Sequence, residues 1–400
     1  MSSEGMLQKL VNIDGANRQD CSGTVAWAVV RFGCKQTEGR TEAMETPHER
    51  ALRDIEEVFG DRLKSAGPAP PGVPDIGDTL ASVSPMNAEE VKLLAEVAGR
   101  YSVPLVALGA GTASKADVEG GALLIHFDLM RGLRLPEHED PWVEAEPGAS
   151  WLQLDDLLRT RGWGLAVFPT SAPRATVGGW LAMDGLGVGS FEYGWLSENV
   201  LSAGVVMSGG ELVEVAGEEV RSFVGPGAAG IIVGAKLRTR QAYADVPFGA
   251  AFGSADDLTG AVAGIAEVGL PLWHLAFLNP GMAHARNLGE NFLLFGAYPA
   301  ERAGEVEGRL QSVVGSSRGR ALSAAEAHRA WGERFFPVTP SGLPPRFPAV
   351  SRDLVSLVDF PQKLSEVENR PGNPTIQGTV ARSGEVLLLS LEDQEEDPVR

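Results

Sequence analysis

The chain has 400 residues, with 34 Lys and Arg against 53 Asp and Glu, giving a formal net charge of −19. That sign argues against nucleic acid and anionic membrane surfaces as partners. With 44% hydrophobic and 22% charged residues it reads as globular, in two or three domains at ~100 to 200 residues each. Its two cysteines, Cys21 and Cys34, supply neither a disulfide framework nor a zinc cluster, which points to a reducing, cytoplasmic setting. No apolar run approaches the ~20 residues needed to span a bilayer.

Residues 1–43 hold both cysteines, and their positive and negative charges balance. Two readings of them stay open: an added, unstructured tail, or an over-extended start. Thr46 is placed to cap a helix in HERALRDIEEVFGDRL, whose Leu52, Ile55, Val58, Phe59 and Leu63 recur at helical spacing. Residues 65–75 are Pro- and Gly-rich and read as a linker. Asn87 then caps a helix AEEVKLLAEVAGRY, with Glu90 placed to complete a capping box. Short apolar stretches at 104–108, 122–129 and 142–148 read as strands. Ser150 caps a further helix ending at Gly162, and 199–215 reads as a hairpin turning at Ser208-Gly209-Gly210. From Pro247 the order strand, helix, strand, strand, helix predicts a split βαβ layer with helices on one face of an antiparallel sheet. A Pro-rich stretch (337–348), a strand at 385–391 and an acidic tail (392–400) close the chain.

Two segments carry chemistry. In VPLVALGAGTASKAD (103–117) a strand runs into a loop holding Gly109, Gly111, Thr112 and Ser114. Glycine lets successive N–H groups converge on phosphate oxygens and lets a ligand approach closely. The loop has neither the third glycine of a Rossmann fingerprint nor the GK[ST] of a Walker loop, so by itself it reads equally well as a plain turn. The second segment, 168–194, holds six glycines and little periodicity, and structureless runs longer than ~12 to 15 residues are usually functional or disordered. The bland alternative is a buried crossover whose glycines permit tight packing.

In this order and spacing the two segments resemble the FAD-binding domain of the vanillyl-alcohol-oxidase, or PCMH, type, in the branch that holds glycolate oxidase and D-lactate dehydrogenase flavoproteins. The family's RGGGTS loop is similar to Leu108-Gly109-Ala110-Gly111-Thr112-Ala113. Its PxSxxxTIGG segment is similar to Pro169, Ser171, Thr176, Val177, Gly178 and Gly179, its small-residue run to Ala182–Gly189, and its YG to Tyr193-Gly194. Gly225–Val233 resembles GseGtlGIIT. The resemblance implies a cofactor, FAD, held non-covalently: backbone amides of Gly109, Ala110, Gly111, Thr112, Ala113 and Ser114 on the pyrophosphate, and Pro169, Thr170, Ser171, Thr176, Gly178, Gly179, Asp184, Gly187, Gly189 and Gly194 along the ribityl chain and ring, with Ile232 on the opposite side. None of the six histidines occupies the place from which tethering members hold FAD.

The pattern departs from the family at the other half of the site. Asp184 stands where the family has Asn. The GHxGDGNxH motif of catalytic members is replaced by a stretch in which Thr379 takes the place of the first histidine and Ser383-Gly384-Glu385 that of DGN. A threonine hydroxyl is neither a base near neutral pH nor a strong metal ligand, so no metal site is expected. The remaining candidates for catalysis are His274 or His284, with Arg334 or Arg346 to hold a carboxylate as a two-pronged fork; His274 and Arg334 are the pair carried forward.

The expected fold is α+β, with a two-lobed FAD-binding domain over 44–242 and a ferredoxin-like cap over 243–391. The expected activity is FAD-dependent oxidation of a small 2-hydroxy acid, with an iron–sulfur or second flavin subunit as electron partner. The alternative is a flavin-binding subunit of a glycolate-oxidase-like complex without a substrate site of its own.

Overall fold

The computed structural model describes residues 29–30, 45–65, 77–110, 118–136, 141–242, 244–336, 349–371 and 374–392. The 1–43 extension apart from Val29–Val30, most of the 65–75 linker, loop residues 111–114, the Pro-rich stretch with Arg346, and the acidic tail beyond Glu392 lie outside them.

The first sheet has the order β1-β4-β5-β3-β2, from Val29–Val30 (β1), Leu63–Ser65 (β2), Gly77–Val83 (β3), Leu105–Leu108 (β4) and Val118–His126 (β5). β3, β5 and β4 run parallel and the two edges antiparallel. Helices α1 (Pro47–Phe59) and α2 (Ala88–Tyr101) cover it through Ile55, Phe59, Val91 and Leu94. Thr46 and Glu49 form a reciprocal capping box on α1. On α2 the capping is only half of the expected box. Asn87 accepts the Glu90 N–H, but the Glu90 carboxylate accepts from Met86 N and pairs with Arg62 instead of returning to Asn87.

The second sheet is antiparallel, β10-β9-β11-β7-β6 with β8 also on β11, built from Leu133–Arg134 (β6), Trp142–Ala145 (β7), Trp163–Leu165 (β8), Val200–Val206 (β9), Leu212–Ala216 (β10) and Ile231–Gln241 (β11). The hairpin between β9 and β10 turns where the glycine pair predicts, with Gly210 at φ +82°. Helix α3 (Trp151–Arg159) packs on this sheet through Trp151, Leu154 and Leu158. Between β8 and β9 the glycine-rich run forms only two short helices, α4 (Val177–Leu181) and α5 (Ser190–Tyr193).

The third sheet starts at Asp245 and has seven strands in the order β15-β12-β14-β13-β17-β18-β16. The strands are Asp245–Phe252 (β12), His274–Leu278 (β13), Phe292–Pro299 (β14), Arg320–Ala321 (β15), Ala349–Ser356 (β16), Thr375–Val380 (β17) and Glu385–Glu392 (β18). With α6 (Ala255–Glu267) and α8 (Ala303–Ser316), strands β12 to β15 follow the βαββαβ order of ferredoxin-like layers. Three further strands widen the sheet, so it is larger than the cap expected from sequence. Its helices also lie on both faces rather than one. α6, α8 and α10 (Phe360–Glu368) bury Leu275, Phe277 and Leu294. α7 (Pro280–Ala285) and α9 (Ala324–Gly332) lie against Ala276, Leu278 and Phe295 on the other. Period-two alternation along β13 places His274 on this second face, which meets the glycine-rich run of the second sheet.

Candidate functional site

The two glycine segments meet. A Cβ on Gly109 would lie 2.9 Å from the Thr176 hydroxyl oxygen and 3.0 Å from Gly179 Cα, closer than such contacts allow. Glycine at 109 and 179 therefore lets the loop after β4 touch the start of α4 backbone to backbone. Thr176 caps that helix by accepting the Gly179 N–H. The next donors are also taken inside the chain, Val177 N by Ala149 C=O and Gly178 N by Pro147 C=O. Residues 177–179 thus have their amides committed within the chain and present a ligand mainly their surface.

The run that follows is folded onto the third sheet. Gly189 has φ +95°, and a Cβ there would fall 2.0 Å from the Ala166 carbonyl oxygen, so only glycine fits. Asp184 also adopts a positive φ, 46°, and its Oδ1 accepts the N–H groups of Gly185 and Ser197. Asn and Asp tolerate this conformation better than other side chains, which makes Asp184 a turn former. Gly194, at φ +75°, ends α5 beside Glu198. Ile232 sits half-buried on β11 opposite Val205. Pro169, Thr170 and Ser171 open a tight turn in which the Thr170 carbonyl accepts the Phe336 N–H at 2.9 Å.

Against this run lies an aromatic wall. Phe168 is 6.2 Å from Trp273 and 6.4 Å from Phe335, and Trp273 is 5.8 Å from Trp331. The Trp273 indole N–H donates to Ala166 C=O, and the Arg240 guanidinium lies 3.5 Å over the Trp273 ring while gripping Asp245 with both terminal nitrogens.

His274 and Arg334 both belong to this wall. His274 is fully buried, edge-on to Phe295 and Trp331. Its Nδ1 accepts the Gly189 N–H at 3.4 Å, so the ring proton sits on Nε2, which has no partner among the described residues. Burial, reinforced by the neighbouring Arg334 charge, pushes its pKa down to about 3. At neutral pH the ring is thus a neutral hydrogen-bond donor with its lone pair committed, and in this geometry it is no base. Arg334 lies flat over Trp331 (4.6 Å) and Phe335 (4.3 Å), and its Nη1 donates to Trp331 C=O. Its Nε is buried without a partner among the described residues. Burial pulls the guanidinium down to about 10, and the nearby acids, Asp155 and Asp245, are bonded to Arg159 and Arg240. The guanidinium thus has an Nε edge without a hydrogen-bond partner among the described residues, and a guanidinium edge is the fork that binds a carboxylate with two prongs.

His284 is not part of this arrangement. Its side chain is 74% exposed, beside Glu290. At the place of the family's histidine motif, Thr379 is buried opposite Leu387 across β17 and β18. Leu387 packs with Leu186 and Ala381, flanked by Trp195 and Leu389. Glu385 accepts the Trp195 indole N–H at 2.7 Å. No group of three or more potential metal ligands occurs among the described residues, and no described helix is long and apolar enough to cross a membrane. Trp331, Phe335, Arg286 and Gln377 were not singled out from sequence; an arginine just past a helix end and a glutamine within a strand carry no pattern that marks them.

The profile of the FAD binding domain family matches residues 79–216, the stretch that contains both glycine segments and their contact. These residues are an FAD-binding domain of the PCMH type. Over 156 residues the chain is 30% identical to the mitochondrial D-lactate dehydrogenase [cytochrome] of Arabidopsis thaliana, spanning 38% of this chain and 27% of that protein. Over 229 residues it is 30% identical to a probable mitochondrial D-lactate dehydrogenase of Danio rerio, spanning 52% and 45%. It is 24% identical to glycolate oxidase subunit GlcD of Bacillus subtilis over 159 residues, 39% and 34% of the two chains. The chain thus matches less than half the length of each of these relatives. Among solved structures, an alkyldihydroxyacetonephosphate synthase superposes with a TM-score of 0.68 over 98% of this chain and 82% of that one, at 15% identity. A 4-ethylphenol oxidase from Gulosibacter chungangensis superposes with a TM-score of 0.62 over 86% and 82%, at 13% identity. At these identities the likeness is one of fold. The cofactor of the FAD-binding domain is FAD. The glycine seam of 109 and 179, closed to any side chain, fits a dinucleotide laid along the chain.

Proposed function

We propose that the chain oxidises a small 2-hydroxy acid of the glycolate or D-lactate kind, with FAD held non-covalently. The observation that carries this reading is the pair of unsatisfied polar groups, Arg334 Nε and His274 Nε2, buried in one aromatic wall against the FAD-binding run 168–189. Gly109, Ala110 and residues 111–114 would hold the pyrophosphate; Pro169–Ser171, Thr176–Gly179 and the backbone at Ile232 would line the rest. Bound FAD supplies a two-electron acceptor at its N5. Arg334 would hold the substrate carboxylate through its Nε edge, and the neutral His274 would keep its proton and offer its Nε2–H as a hydrogen bond to a substrate oxygen. The wall of Phe168, Trp273, Trp331 and Phe335 excludes water and so strengthens both contacts. Hydrogen bonds to charged groups contribute about 1.5 to 3 kcal/mol each. Arg334→Leu should therefore raise KM for D-lactate or glycolate by on the order of 100-fold, with a smaller change in kcat. An unchanged KM would remove Arg334 from the substrate site.

A second reading is a flavin-binding subunit of a glycolate-oxidase-like complex with no substrate site of its own. It is favoured by the place of the family's histidine motif, where Thr379 pairs with Leu387 and Leu387 packs in an apolar cluster with Leu186 and Ala381. It is also favoured by the committed lone pair of His274. On this reading an iron–sulfur or second flavin subunit would exchange electrons with the bound FAD.

A further inference from the structure

Arg334 comes just after Glu333, the C-cap of α9, where carbonyls no longer find partners within the helix. Two side chains from elsewhere in the third sheet close on those carbonyls. Arg286, at the end of α7, donates through Nη1 to the Glu333 carbonyl and through Nη2 to Gln377 Oε1 at 3.0 Å. Gln377, on β17, donates its amide to the Arg334 carbonyl at 2.8 Å. Gln377 is 1% exposed, and the Arg286 guanidinium is largely buried, 4.0 Å from the exposed Glu333 carboxylate. Asn279 fixes the other end of the same unit, since its amide and carbonyl bond Pro374 C=O and the Ile376 and Met282 N–H groups. Two consecutive peptide groups, 333 and 334, are thereby pinned to β17 in one orientation, with a buried cation near a helix C-terminus.

We propose that Arg286 and Gln377 are positioning residues that aim the unpartnered Nε edge of the Arg334 guanidinium at an anionic substrate group, a proposal that rests on Arg334 being the carboxylate-binding residue. The alternative is that they only tie down the end of α9. The two differ in what happens when Arg334 is gone, because a positioning effect acts through Arg334 and a structural one does not.

The test is a titration of the FAD-loaded chain with oxalate, read from the shift of the flavin visible spectrum. FAD content and Tm are followed in the same samples. Gln377→Leu and Arg286→Met should each weaken oxalate about tenfold at unchanged FAD content, and neither should weaken it further in an Arg334→Leu background. Gln377→Glu, which keeps the acceptor for Arg286 but loses the donor to the Arg334 carbonyl, should weaken oxalate as well and serves if Gln377→Leu does not fold. Wild-type oxalate affinity in the Gln377 and Arg286 variants, with binding abolished in Arg334→Leu, would overturn the positioning role alone. So would the same tenfold loss in the Arg334→Leu background. Oxalate behaving identically with wild type and Arg334→Leu, bound or unbound, would overturn Arg334 as the anion site and the positioning role with it.

Discussion

Replacing His274 changes the pH dependence of stability in a way its burial dictates. In the folded chain its pKa lies at about 3 against 6.5 for a free side chain. The native ring stays neutral from alkaline pH down to about 3, while the unfolded chain takes up a proton below about 6.5. Stability is therefore lost as pH falls from 6.5 towards 3. At pH 5 the unfolded side chain is 1.5 units below its pKa, and at ~1.4 kcal/mol per unit the loss is about 2 kcal/mol relative to pH 8. His274→Asn removes the titration and keeps an oxygen near the Nδ1 position for the Gly189 N–H. Urea unfolding of both proteins at pH 8 and pH 5, followed by tryptophan fluorescence, isolates the effect, because all other titrating groups are shared. The stability difference between wild type and His274→Asn should shrink by about 2 kcal/mol on going to pH 5. An unchanged difference would refute a buried neutral His274 and reopen it as a base.

The remaining expectations concern the cofactor seam and the joints between sheets. Gly109→Ala should destabilise the chain by about 1 to 3 kcal/mol through overpacking against Thr176 and Gly179, with FAD content of the purified protein falling in parallel; full FAD content would detach the seam from the cofactor. Arg240→Met leaves Asp245 buried without its two-pronged partner, the next ion pair being to Arg159 at 3.7 Å, and should cost about 3 to 5 kcal/mol in chemical denaturation, most of it recovered in the double variant Arg240→Met/Asp245→Leu. Trp195→Phe removes the donor to Glu385 that joins the FAD-binding domain to β18 and should cost about 1.5 to 3 kcal/mol, with a Tm equal to wild type counting against that joint. Acid precipitation should release all flavin into the supernatant; flavin left in the pellet would indicate a covalent bond, and His126, which ends β5 opposite Leu108, would be the histidine to examine.

Much of this was legible in local sequence. Thr46, Asn87 and Ser150 each cap the helix that follows them, because a cap needs only a side-chain oxygen and the N–H groups two or three residues on. The return bond of Glu90 was not legible, since Arg62 and Met86 compete for the same carboxylate across tertiary distance. Strand patterning gave β12, β13, β14 and β18 of the third sheet but not β15 to β17 or the helices on its second face, which depend on pairings such as β13 with β17, about 100 residues apart. In the site, the glycine segments could be read because close approach demands one residue type. Arg334 was reached as a candidate fork for a carboxylate, whereas Arg286 and Gln377 act on backbone carbonyls, to which any residue contributes equally and which leave no trace in the sequence.

The decisive measurement is anaerobic addition of glycolate and of D-lactate to the purified, FAD-loaded chain while its visible flavin bands are recorded. Bleaching by either acid, abolished by Arg334→Leu, is the predicted result. Bands that stay oxidised with both acids would contradict a self-sufficient hydroxy-acid dehydrogenase and leave the partner-dependent flavin subunit in its place.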